Sequence, residues 1–183
     1  MWREILVIIT QLIVASPKAW KDINREKRTY NEFLNRFLHP LFGIIALTSF
    51  IGGLWISQDG NMESALKNSI ISIVAVYGGY FIASYAINDL APRFGLEKNL
   101  SMYQKFVGFA SAVIYLLYIV IPFFPGFIIL WVCALYTIHL VYTGGQSFIL
   151  IKEDRLTNFT LIASALIILA PATIHQLFSI TIK

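Results

Sequence analysis

From Lys105 to Leu150 the chain reads KFVGFASAVIYLLYIVIPFFPGFIILWVCALYTIHLVYTGGQSFIL. About 20 predominantly apolar residues cross the hydrocarbon core of a bilayer as a helix, so this stretch is long enough for two crossings. Pro122 and Pro125, followed by Gly126, divide it. Proline removes a backbone donor and its ring clashes with the preceding turn, which favours a tight turn over one continuous helix. The stretch becomes one span at 105–121 and another at 124–150. Three further apolar runs, at 38–57, 66–88 and 156–180, complete an expected all-α bundle of five transmembrane helices, residues 38–183. Strand-like alternation is absent, which removes a membrane β-barrel as a competitor.

Composition agrees. Of 183 residues, 57% are hydrophobic and only 13% charged, and the mean hydropathy is +0.70. A soluble domain carries about 25% charged residues, so this chain lacks the polar surface a soluble fold needs. A soluble enzyme domain, a disulfide scaffold and a disordered chain are excluded. The single cysteine, Cys133, lies in an apolar run and has no intrachain partner. The net charge of +4 comes with no base-stacking or zinc motif, and nucleic acid is not an expected partner.

Residues 1–37 read differently. Ile5 to Ala15 is apolar but too short to span, and suits an interfacial or re-entrant helix. Arg3 is offset by Glu4 and the A-S-P at 15–17 is a poor cleavage site, which argues against a removed leader. Ser16 and Pro17 resemble an N-cap and first helical residue. They open a basic, weakly amphipathic segment in which Trp20, Ile23, Lys27 and Tyr30 or Asn31 follow on one side and Glu32 and Arg36 stand four apart. Lys18, Trp20, Lys21, Arg25, Lys27 and Arg28 form an expected surface for anionic lipid or a partner, or else a solvated topology anchor.

Lys and Arg set the orientation. With five spans and a cytoplasmic N-terminus, twelve of the fourteen lie inside and two outside, the asymmetry of the positive-inside rule. Merging the third and fourth spans would move Lys152 and Arg155 outside. The expected position is therefore integral to a membrane, with the C-terminus outside.

Polar residues inside spans are where membrane function is sought first. Tyr136, His139, Thr143 and Gln146 follow one another at helical spacing and form a stripe along the fourth span. The stripe either lines a solute or proton path, with His139 titrating, or supplies interhelical hydrogen bonds. In the second span Tyr77, Ser84 and Asn88 share a face that ends at Asp89 and Arg93, four apart, as a gate or as an interface ion pair. His39, His139 and His175 fall at different depths, so no metal site is expected. No H-E-x-x-H, G-x-S-x-G or intramembrane acidic pair occurs, and neither a catalytic residue nor a cofactor is expected.

Small residues recur every four positions: Ala75, Gly79 and Ala83; Ser49 and Gly53; Gly108 and Ala112. These are close-packing seams, for self-association or for packing within the bundle. Gly144 and Gly145 are expected to loosen the fourth helix and Pro171 to kink the fifth.

The basic preamble with S-P-K-A-W-K-D-I (Ser16 to Ile23), the Gly79-Tyr80 pair in the second span and Y-T-I-H-L-V-Y-T-G-G (Tyr136 to Gly145) in the fourth together resemble the Yip family. These are five-span proteins named for binding Ypt/Rab GTPases, and the likeness is to their short bacterial relatives. It covers nearly the whole chain and rests on topology and loose motifs. Eukaryotic members carry a long acidic N-terminus with a D-L-Y-G-P motif. Here the nearest equivalent is His39-Pro40-Leu41-Phe42-Gly43, so Rab GTPase binding is not carried over. The resemblance implies the fold and a non-enzymatic scaffold or adaptor role, with a membrane-protein partner or a homo-oligomer. A small oligomeric transporter or channel using the His139 stripe is the alternative, and a lipid-interacting protein the third.

Overall fold

The computed structural model describes residues 2–56, 61–124 and 128–181. Every regular element among them is helical: α1 Trp2–Val14, α2 Ser16–Arg25, α3 Tyr30–Phe33, α4 His39–Ile56, α5 Met62–Leu90, α6 Leu100–Ala110, α7 Ala112–Val120, α8 Tyr136–Gly144 and α9 Glu153–Thr181. The end of the first expected span at Ser57, the Pro125-Gly126 half of the expected turn, and Lys183 lie outside the described residues.

α1 and α2 form a hairpin. Ile5, Ile8, Ile9 and Leu12 recur on one face of α1 and are buried, as an amphipathic helix requires. The α2 start corrects the expected cap. Ala15, not Ser16, is the N-cap; Ser16 and Pro17 open the helix itself, and the Ser16 hydroxyl bonds Thr143 instead. The two ends of the hairpin are clasped by Arg28, whose Nη2 donates to Glu4 Oε1 at 2.6 Å while its Nε donates to Glu26 Oε2 at 2.6 Å.

The amphipathic helix expected across 18–36 is interrupted. Helix α2 ends at Arg25, and Lys27 takes the left-handed conformation (φ 44°) that a non-glycine residue adopts only at a cost. A new helix then starts at a capping box: Thr29 Oγ accepts from Glu32 N and Glu32 Oε2 accepts from Thr29 N at 2.9 Å. Glu32 is thus committed to the cap rather than to a hydrogen bond with Arg36. From Tyr30 the chain stays helical through a π-type turn at Leu34–Leu38 into α4, so the first apolar helix begins well before Leu38. The wider turn sits where Pro40 withholds its N–H and crowds the preceding turn.

Asn61 caps α5 through Oδ1 on Glu63 N at 2.9 Å, and Gly95 (φ 72°) ends the 3-10 turn that follows it. Asn99 caps α6 through Met102 N. The third apolar run is bent by 46° between α6 and α7, where Ser111 Oγ returns to Val107 O at 2.7 Å, a back-bond that bends helices. The fourth run is composite: a 3-10 segment Ile128–Leu135, then α8, then a π-type turn Gly145–Ile149 ending at Leu150 (φ 63°). The expected loosening falls at Gly145. α9 continues unbroken through Pro171.

Three helices among the described residues are long and apolar enough to cross a membrane, namely Tyr30–Trp55, Met62–Phe94 and Glu153–Thr181, and a fourth is counted if the bent pair Leu100–Ala110 with Ala112–Phe123 is one broken span.

The core is aromatic at one end. Trp20 stacks on Phe106 with centroids 5.5 Å apart, Phe37 and Phe109 lie 4.7 Å apart, and Phe94 meets Phe159 at 5.3 Å. At the same end Gly95 lies against Arg155, and Lys105 Nζ donates to Arg28 O at 3.2 Å. At the other end Gly52 lies against Pro122 and Gly53 against Ala65, while Tyr118 meets both Trp131 and His175 at 6.1 Å.

Candidate functional site

Helix α8 holds the N-terminal hairpin in place. Trp20, fully buried, donates Nε1–H to Leu140 O at 3.1 Å. Ser16 Oγ and Thr143 Oγ1 are 2.6 Å apart, and Tyr136 donates its hydroxyl to Ile13 O at 2.6 Å. Gly144 makes room: a Cβ there would fall 2.7 Å from the Trp20 ring. Apolar contact and three hydrogen bonds bind two segments more than a hundred residues apart.

The expected stripe therefore divides. Tyr136 and Thr143 are bonded to the hairpin, and Thr143 also donates to the α8 carbonyls of His139 and Leu140. His139 and Gln146 are exposed. The His139 ring sits 5.2 Å from Tyr136, and Gln146 Nε2 donates to the Tyr142 hydroxyl at 3.3 Å. The four do not line a common path.

The second polar face divides too. Tyr77 packs edge-on to Phe42 at 4.4 Å and beside His39 at 6.2 Å. Ser84 is spent on its own helix, donating to Tyr80 O at 2.7 Å. The Asn88 Oδ1 is buried without a partner among the described residues. Asp89 accepts from Lys98 at 2.6 Å, not from Arg93, which is exposed. The ion pair thus bridges the 91–99 connection rather than one helical turn.

The small-residue seams are filled from within the chain. A Cβ on Gly79 would fall 2.7 Å from the Pro171 ring and its nitrogen, and Gly108 faces the Phe33 ring. Ala75, Ala83 and Ala112 are fully buried. Glycine at 79 lets α5 and α9 approach at backbone distance.

Lys18, Lys21 and Arg25 occupy the outer face of α2, at spacings of three and four, and are exposed; Lys27 is exposed in the turn beyond them. Trp20 departs from the surface expected for it, because it belongs with Ser16 and Ala19 on the buried face. Arg28 is mostly buried in its clasp with Glu4 and Glu26. Nearby, the Glu32 carboxyl is held below its ordinary value by the Thr29 backbone N–H first and the Thr29 hydroxyl second. At the opposite end the Glu63 carboxyl is lowered by Lys67, 2.9 Å away.

Among the described residues no group of three His, Cys, Asp or Glu is placed to hold a metal. Each histidine instead lies beside a different tyrosine: His39 by Tyr77, His139 by Tyr136 and His175 by Tyr118.

A helical bundle with apolar spanning helices and a basic, clasped N-terminal hairpin defines a polytopic membrane protein. A comparison with family models matches the Yip1 domain over residues 11–174, from within α1 into α9. The chain belongs to that family, a family of non-enzymatic membrane proteins. Comparison with curated proteins and with solved structures gives no match.

Proposed function

We propose that the chain is a non-enzymatic membrane scaffold or adaptor whose docking face is the outer surface of α2. The carrying observation is the pairing of a locked inner face with a free outer one. Trp20 and Ser16 are bound into the bundle, while Lys18, Lys21 and Arg25 point away from it without partners among the described residues. A charged face held rigid loses little entropy on binding an acidic surface of another membrane protein. The small-residue seams, already filled, leave that role to α2.

Five crossings with the N-terminus cytoplasmic suit this reading. Contacts of Gly95 with Arg155 and of Lys105 with Arg28 gather 28, 95, 105 and 155 at one end of the bundle. Those of Gly52 with Pro122 and of Tyr118 with Trp131 and His175 gather 52, 122, 131 and 175 at the other. The segment 128–149 measures about 35 Å along its axis at the rises of 3-10 and α helices, enough for a hydrocarbon core of about 30 Å. In this arrangement the α1–α2 hairpin lies at the cytoplasmic interface with its exposed Lys and Arg at the headgroup level, and the resemblance to short bacterial relatives implies a bacterial inner membrane.

The test is purification of the full chain from its native membrane in mild detergent, with mass spectrometry of what stays bound. A stoichiometric membrane protein retained by the wild type and lost from the Lys18→Gln/Lys21→Gln/Arg25→Gln variant is the expected result. A chain that purifies alone overturns the adaptor reading, and a partner held equally by both forms overturns the assignment of its docking face to α2.

A further inference from the structure

A cavity of about 310 Å³ opens where the turn after α2 meets the start of α6, at the lower edge of the size range of small-molecule sites, about 300 Å³ and upward. Three cations line it from separate segments: Lys27 and Arg28 from the turn, and Lys105 from α6. Two polar side chains, Asn24 and Ser101, join them, and Phe109 and Phe148 supply apolar wall. The Arg28 charge is met by Glu4 and Glu26, but its Nη1 is buried and has no acceptor among the described residues. Lys105 uses one of its donors on Arg28 O. Lys27 has no partner among the described residues, and it lines the cavity from a left-handed backbone conformation (φ 44°) unfavourable for lysine. Strain at a residue lining a cavity points to a role for that residue beyond packing. The first turn of α6, at Asn99 and Ser101, also borders the cavity and adds the positive end of a helix dipole.

Two lysines, an arginine and a serine lining one cavity carry the donor types of an oxyanion site, and cations beside an aromatic wall match a charged head joined to an apolar body. We propose that this cavity binds a phosphate group, carried by the headgroup of an anionic phospholipid or free in solution. The position favours the lipid over an acidic peptide, since Lys105 stands near the start of an apolar helix pair, at the level where headgroups lie. The inference goes beyond the adaptor reading and is independent of it, because Lys27 and Lys105 are not part of the Lys18–Lys21–Arg25 face.

The experiment counts lipid bound to the full chain in mild detergent by native mass spectrometry, with phosphatidylglycerol or phosphatidylcholine as probe. The wild type retains phosphatidylglycerol about tenfold over phosphatidylcholine. Lys27→Gln/Lys105→Gln falls to parity, and Arg93→Gln/Lys152→Gln, at exposed cations outside the cavity, keeps the preference. Lys27→Gly, which relieves the strained backbone, folds and yet shows a reduced preference. Inorganic phosphate that raises the melting temperature of the wild type but not of Lys27→Gln/Lys105→Gln assigns the site to soluble phosphate; lipid preference without that response assigns it to the headgroup. Equal retention of the two lipids by the wild type together with no response to inorganic phosphate, or equal loss in the two double variants, overturns the proposal. So does binding of an oligoglutamate peptide in place of both phosphate probes.

Discussion

Gly95 lies under the guanidinium of Arg155, with a Cβ built on the glycine falling 2.6 Å from Nη1. Gly95 follows α5 and Arg155 opens α9, so the chain between them leaves this end of the bundle and returns to it. The return is made by α6, α7 and the composite run 128–149. The contact joins two connections that a hydropathy plot treats as unrelated.

A close helix approach lies elsewhere, where Gly79 of α5 meets Pro171 of α9. Gly79→Ala puts a methyl group 2.7 Å from a rigid ring and a backbone nitrogen. Overpacking of this kind costs roughly 1–3 kcal/mol, seen as a lower melting temperature in detergent. Gly43→Ala is the control: nothing lies within 4 Å of its Cβ, and alanine in a helix is neutral or stabilising. Equal effects of the two substitutions would remove the close-packing argument.

Trp20 fixes the hairpin by two separable contributions. Trp20→Phe keeps the ring and loses the bond to Leu140 O, a loss of about 1 kcal/mol. Trp20→Ala also empties a fully buried site, roughly 3–5 kcal/mol. Limited trypsin digestion reads the outcome. Cleavage at Lys18, Lys21 and Arg25 accelerates strongly in Trp20→Ala and slightly in Trp20→Phe.

The fourth-run polar residues are separable in the same way. Thr143→Val breaks the bond to Ser16 and lowers thermal stability by about 1 kcal/mol. His139→Ala, at an exposed position, leaves stability within about 0.5 kcal/mol of the wild type. A pH-dependent ion flux in liposomes abolished by His139→Ala would favour the transport alternative over the scaffold.

The capping box gives the N-terminal segment a pH dependence of defined sign. The folded Glu32 carboxyl titrates below its ordinary value of 4.5, because its charged form accepts from Thr29. A lowered folded pKa contributes stability that is present above the unfolded value and is lost as pH falls through the folded one. The advantage of the wild type over Glu32→Gln, measured by thermal unfolding across pH, is full at neutral pH and shrinks as pH falls below 4.5. An advantage that grows on acidification contradicts the cap.

The apolar helices were legible because hydropathy is a local property. Their starts were not. Tyr30–Leu38 and Leu100–Gln104 are helical by capping at Thr29 and Asn99 and carry too little apolar character to register as membrane-spanning. The 3-10 geometry of 128–135 is hidden because periods of 3 and 3.6 barely diverge over a run so short. Ser16, Ala19 and Trp20 did share a helical face, and that spacing was the available signal for burial. Charged neighbours at 18, 21 and 22 mask that signal by giving the segment the composition of a surface helix. The orientation of the 136–146 stripe depends on Ser16 and Ile13, more than a hundred residues away, which no local pattern encodes. The cavity at Lys27 and Lys105 was equally invisible, since its cations come from separate segments.

The proposed crossing of 128–149 decides the architecture, and cysteine accessibility in a Cys133→Ser background tests it. Glu97→Cys and Glu153→Cys flank the return path, and Met62→Cys marks the other end. With a membrane-impermeant maleimide on intact cells, labelling is expected at 62 and protection at both 97 and 153, with labelling at those two only after permeabilisation. Labelling at 153 from outside while 97 stays protected would show that the segment does not cross, and would contradict the five-pass scaffold.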